Sequence, residues 1–271
     1  MGHLPTRLTP NELKRFRVCP VECPKLSERI STLADYFAII ASVIGSDAPF
    51  WFRGHCEARY SLTPTALRYS PIAKRVRAIE LMSEFRRIAD IKLRRPPDPQ
   101  DHLKWAQIGQ HYGLPTRLLD WTESATAALY FACQRPVHDG IVFLLNPIEL
   151  NRLSYPLKAR VLDPEEDSGL ILSYLKSSVR ETKRGKFPVA VNPVWNSDRL
   201  MVQRGKFTLH GSRFTLDRGG VPSLVALCVL RESKIRLLSE LERVGVDEMM
   251  LFPELEHACV HLKRHSGLEA P

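Results

Sequence analysis

The sequence predicts an α+β fold, a single mixed domain with a helical N-terminal portion. Two observations carry the prediction. Apolar residues recur at helical spacing in Ser27–Ile44 (Ile30, Leu33, Tyr36, Phe37, Ile40) and in Ile72–Arg94 (Ile79, Met82, Phe85, Ile88, Ala89, Leu93). Short β-branched and aromatic runs such as Gly140–Leu145 read as core strands, yet strands and helices do not alternate in the regular βα order of a parallel sheet. No internal repeat is visible.

In order along the chain, residues 1–27 are rich in proline and basic residues and read as an irregular arm. The first helix follows, then the aromatic run Ala48–Gly54, a buried strand opening into a loop. The helix of Ile72–Arg94 is broken by Arg95-Pro-Pro-Asp-Pro-Gln100. A further helix is predicted from Asp101 to His111, stopping at Gly113, where a positive φ suits glycine. Asp120-Trp-Thr-Glu123 has capping-box spacing, with Asp120 as N-cap of an apolar, buried helix over Glu123–Gln134. After the strand Gly140–Leu145, strands are expected at Phe187–Val191 and Leu224–Leu230. Helices are expected at Ser233–Arg243 and, after Pro253, at Glu254–Lys263. The body of the domain is residues 28–264, and 265–271 form a flexible tail.

The chain has 271 residues, enough for one core to bury most of the unfolded surface. Its 44% hydrophobic and 25% charged residues exclude disorder for the body. The formal charge of +9, spread without a dense block, favours anionic partners such as nucleotides or nucleic acid, or serves only solubility. The first residues lack the apolar core of a signal peptide, and no stretch approaches a membrane span, so a cytoplasmic protein with reduced thiols and no membrane partner is expected. Cys19 and Cys23 have the spacing of half a zinc site, but no second half follows, so no metal is expected.

Three separated stretches resemble the FRG-domain family, named for its Phe-Arg-Gly motif. They are Trp51-Phe-Arg-Gly-His55 with Ser61–Arg68; Trp105–Thr122 leading into Ala128-Leu-Tyr-Phe-Ala132; and Arg199–Thr208 with Leu251–Glu256. The resemblance covers roughly residues 30–262. It implies a bacterial and phage-associated module, of the kind suspected in defence or toxin systems, and little chemistry. A weaker similarity links Arg53-Gly54, at a strand end, to the first strand of ADP-ribosyltransferases, where Arg-Gly or His-Gly meets the nicotinamide–ribose end of NAD. It implies an ADP-ribosyltransferase-like fold.

The residues themselves give a candidate site. Arg53 presents a planar fork suited to phosphate, and Gly54 lets a ligand approach the backbone. The competing role for Arg53 is pairing with a buried carboxylate such as Asp120. The segment Gln110–Asp120 gathers an amide, an imidazole, a phenol, a hydroxyl, a guanidinium and a carboxylate, more polarity than packing needs. Within it His111 is a candidate acid, base or donor. Gln110, Thr116 and Arg117 are candidates for ribose or phosphate. Asp120 is a candidate ligand contact besides its expected capping role. Tyr130 is read first as core and second as a stacking surface. In the transferase resemblance a late glutamate holds the ribose as positive charge develops, a role open to Glu254, whose competing role is to favour the positive end of the terminal helix. Arg53, the 110–120 segment and Glu254 are expected to share one pocket.

The leading functional expectation is an ADP-ribosyltransferase-like enzyme using NAD as substrate to modify a protein or nucleic-acid acceptor. Arg53, His111 and Glu254 would be catalytic, with Arg53 also binding the nucleotide together with Gly54, Gln110, Thr116, Arg117, Asp120 and Tyr130. The alternative is a non-catalytic module recognising a nucleotide or nucleic acid, with affinity that falls with salt. A nuclease or other hydrolase comes third, because the acidic residues form no metal cluster. P-loop, Rossmann, His-Glu-x-x-His and Gly-x-Ser-x-Gly patterns are absent.

Overall fold

The computed structural model describes residues 29–44, 48–155, 159–177, 187–194, 197–212, 216–217, 221 and 224–266. The expected arm 1–27 and most of the expected tail, residues 267–271, lie outside the described residues. The first elements are β1 (Arg29–Ile30), α1 (Leu33–Val43), β2 (Trp51–His55), α2 (Thr65–Arg68), α3 (Ile72–Lys92) and α4 (His102–His111). There follow β3 (Leu118–Thr122), α5 (Ala125–Cys133), β4 (Gly140–Leu145), α6 (Pro147–Ser154) and α7 (Ser168–Leu175). The chain continues through β5 (Val189–Val191), α8 (Asp198–Val202), β6 (Gly205–Leu209), β7 (Leu224–Val229), α9 (Lys234–Arg243), α10 (Glu248–Leu251) and α11 (Leu255–His265).

The fold is α+β. The strands form one sheet in the order β1-β7-β4-β2-β3-β6-β5, with β1 parallel to β7 and the other neighbours antiparallel. Strand side chains alternate between two faces. Phe52, Val142, Leu144, Val225 and Leu227 meet α1, α5 and α9 on one face. On that same face, at the β5–β6 end, Leu118, Val189, Phe207 and Leu209 pack against α4 and α7. Trp51, Leu119, Trp121, Phe143 and Leu145 fill the opposite face with Leu150 of α6.

Helix α5 lies directly over the centre of the sheet, and two glycines permit the approach. A Cβ on Gly54 would stand 1.8 Å from the Ala128 carbonyl oxygen, and one on Gly140 2.3 Å from that of Ala132. Gly54 therefore lets α5 pack closely on β2.

One local expectation is corrected. Asp120 is not a helix cap. It sits mid-strand in β3, opposite Phe207 of β6, and α5 begins at Ala125 with Ser124 as N-cap, whose Oγ accepts the Ala127 N–H at 3.2 Å. The backbone partners offered by β6 outweigh a local cap. Among the described residues Cys56, Cys133 and Cys259 are free cysteines. Among the described residues no helix is long and apolar enough to cross a membrane, and no group of three or more His, Cys, Asp and Glu residues is placed to hold a metal.

Candidate functional site

The centre of the sheet contains a gap that builds the site. β2 and β4 share five register pairs, and so do β3 and β6, but β2 and β3 share only Phe52↔Thr122. Beyond that pair the strands part, and the Arg53 side chain bridges them. Its Nη1–H donates to the Asp120 carbonyl oxygen at 2.6 Å, a backbone acceptor that β2 does not reach.

Arg53 is held from behind. Its Nε–H donates to His55 Nε2 at 2.8 Å, so His55 carries its proton on Nδ1, which faces the Tyr60 carbonyl oxygen at 3.1 Å. Burial first, then the neighbouring Arg53, pushes the His55 pKa down to about 3, against a smaller opposing pull from the Tyr60 carbonyl. His55 is thus a neutral acceptor. Burial also lowers the Arg53 pKa; Asp120 opposes that shift and Arg68 adds to it. The Arg53 side chain is only 18% exposed and its Nη1 lies 3.7 Å from Asp120 Oδ2, whereas Asp120 is 59% exposed. The partner expected for Arg53 is therefore present, but its carboxylate reaches solvent.

A cleft of about 340 Å³ opens over this gap, on the helical face of the sheet. Phe52, Arg53, Gly54, Asp120, Trp121, Thr122 and Phe207 form its floor. Gln107, Gln110 and His111 of α4 form one wall, and Phe131 of α5 contributes to the other side. Ser197, Arg199, Leu200 and Gln203, on and around α8, complete it. Asp120 is oriented by Gln110, whose Nε2–H donates to Oδ1 at 2.6 Å, and Thr116 Oγ1 donates in turn to Gln110 Oε1.

The structure thus brings Arg53, Gly54, Gln110, His111 and Asp120 together, and places the other expected residues elsewhere. Thr116 is buried and reaches the cleft only through Gln110. Arg117 points away, donating to the carbonyls of Ser177, His210 and Gly211, and burial lowers its pKa to about 10. Tyr130 lies in the core beside Phe131. Glu254 is not a lining residue; its Oε1 is 4.0 Å from Nη1 of Arg199, which is. Arg199 stacks over Phe252 at 4.6 Å, and Gln203 Nε2–H donates to the Leu251 carbonyl at 2.9 Å, so α8 is tied to the C-terminal segment.

Gln107, Arg199, Gln203 and His55 lie within the stretches that carry the family resemblance, but the sequence does not single them out as site residues. Beside that resemblance, spacing offered a second signal for the helical residues. Gln107, Gln110 and His111 lie at i, i+3 and i+4, one stripe of a helix, as Arg199 and Gln203 lie at i and i+4.

These features define an α+β module with a central, arginine-bearing cleft over a parted sheet. Residues 48–140 match the family model of the FRG domain. No curated protein matches the chain, and no solved structure does. The matched segment contains β2, α4, β3 and α5, hence the Arg53–Asp120 gap and the α4 wall; the α8 wall and Glu254 lie beyond it.

Proposed function

We propose that the cleft binds NAD and that the protein is an ADP-ribosyltransferase-like enzyme. The observation that carries this reading is the convergence of Arg53, Arg199 and an accessible Asp120 carboxylate in one cleft with Phe52, Phe131 and Phe207. Two guanidinium groups suit a diphosphate, and the aromatic side chains suit planar rings. The Asp120 carboxylate is positioned by Gln110 rather than neutralised by a close ion pair, so it remains able to stabilise positive charge.

In this reading the bond between the ribose and the nicotinamide nitrogen breaks, and nicotinamide leaves with the bonding electrons. Asp120 stabilises the cationic ribose until an acceptor oxygen or nitrogen attacks. His111, exposed at the rim, takes the acceptor's proton. Glu254 acts through Arg199 by position, since it borders that guanidinium and not the cleft. The nucleophile comes from a protein or nucleic acid, and a bacterial defence or toxin role is consistent with such chemistry.

The test is mass spectrometry of NAD and of lysate incubated with wild type, Asp120→Asn and Arg199→Ala. Nicotinamide release and an added ADP-ribose mass, lost in both variants, support the reading. Intact NAD with measurable binding moves the protein to a non-catalytic nucleotide module; absence of both overturns the nucleotide reading.

A further inference from the structure

Helix α4 presents a graded stripe to the cleft. His111 is exposed, Gln110 is half-buried and Gln107 is only 4% exposed. The Gln110 amide is engaged at both ends, by Asp120 and Thr116. Gln107 is not. Its Oε1 accepts the Val194 N–H at 3.2 Å, which fixes the amide orientation, because only the oxygen can accept. Its Nε2 is buried and has no hydrogen-bond partner among the described residues. Buried amide donors are almost always paired, and one left open in the wall of a cleft calls for an acceptor.

Leu200 and Phe207, which line the same cleft as Gln107, are apolar. A phosphate has two arginines to choose from, so a neutral amide in a cleft that also has apolar lining suits a neutral acceptor on a flat ring. We infer that Gln107 is the specificity residue of the cleft, donating its side-chain N–H to a carbonyl oxygen on the ligand's buried ring. Resting on the NAD reading above, that oxygen belongs to the nicotinamide carboxamide.

The experiment is calorimetric titration of the full chain with NAD and with ADP-ribose, which lacks the ring. Wild type is compared with Gln107→Glu and Gln107→Leu. Glutamate keeps an oxygen for the Val194 N–H and replaces the donor by an acceptor; leucine removes both. Each variant is expected to weaken NAD about 10- to 100-fold, the range for a lost hydrogen bond in a buried site, and to leave ADP-ribose affinity unchanged. Retained ADP-ribose binding also certifies a folded cleft. Equal losses on both ligands in a variant of unchanged thermal midpoint, or no loss on either, overturn the role of Gln107 and leave the nucleotide reading standing. Failure of wild type to bind either ligand overturns the nucleotide reading, and this inference with it.

Discussion

Acidification is expected to destabilise this fold in a way that His55 makes separable from the carboxylates. Its pKa is lowered from 6.5 to about 3 in the fold by burial and by Arg53. The unfolded chain therefore binds a proton at His55 that the folded protein refuses. A depressed value contributes stability that is fully present above 6.5 and is lost as pH falls towards about 3. Each pH unit within that window removes about 1.4 kcal/mol. Between pH 6.5 and about pH 5 the loss approaches about 2 kcal/mol, a large fraction of a typical domain's stability. Carboxylates also titrate in acid, so the comparison is made with His55→Gln, whose amide oxygen can take the Arg53 Nε–H without titrating. Urea unfolding at several pH values between about 7.5 and about 5 should show wild type falling by about 2 kcal/mol more than the variant. Parallel stability curves for the two proteins would refute the neutral, buried His55 and the support it gives Arg53.

Arg53→Met removes the donor to both His55 and the Asp120 carbonyl and should cost about 2–4 kcal/mol in urea unfolding, after the gain from no longer burying a cation; a change under about 0.5 kcal/mol would make the bridge energetically idle. Gly54→Ala drives a methyl into the Ala128 carbonyl and should cost about 3 kcal/mol or more, read as lost soluble yield and a lowered thermal midpoint; a wild-type midpoint would contradict the close α5–β2 contact. Lys234 is fully buried with its Nζ donating to the carbonyls of Cys56, Gln134 and Arg135, so Lys234→Met should destabilise by about 2–4 kcal/mol through stranded acceptors, checked by the same unfolding assay. If NAD turnover is found, Asp120→Asn should abolish it, whereas Glu254→Gln should lower it less than about tenfold, because Glu254 reaches the cleft only through Arg199.

The sequence by itself determined the elements whose signal is local. The helix predicted at Ile72–Arg94 spans Ile72–Lys92, the one predicted at Asp101–His111 spans His102–His111, and Gly113 has a φ of 84°. Gly140–Leu145 is the predicted strand, and the last helices fall within two residues of expectation, at Lys234–Arg243 and Leu255–His265. Long periodic helices and a continuous β-branched run carry their fold in neighbouring residues. The Phe-Arg-Gly and Gln110–Asp120 segments were also legible as unusual polarity beside apolar structure.

Tertiary structure decided the rest. Leu118–Thr122 and Gly205–Leu209 are strands because each is the other's partner, from Leu118↔Leu209 to Thr122↔Gly205, across more than eighty residues of chain. Local spacing there favoured a capping box, and a local pattern loses to a five-pair ladder. The same distance hid the Arg53 bridge, since the gap it spans exists only where β2 and β3 part. It also put Arg199 beside the α4 stripe and kept Glu254 behind it. A hydrogen bond or an ion pair has no period in sequence, so which polar residues meet in the cleft was set by how the sheet and its helices pack.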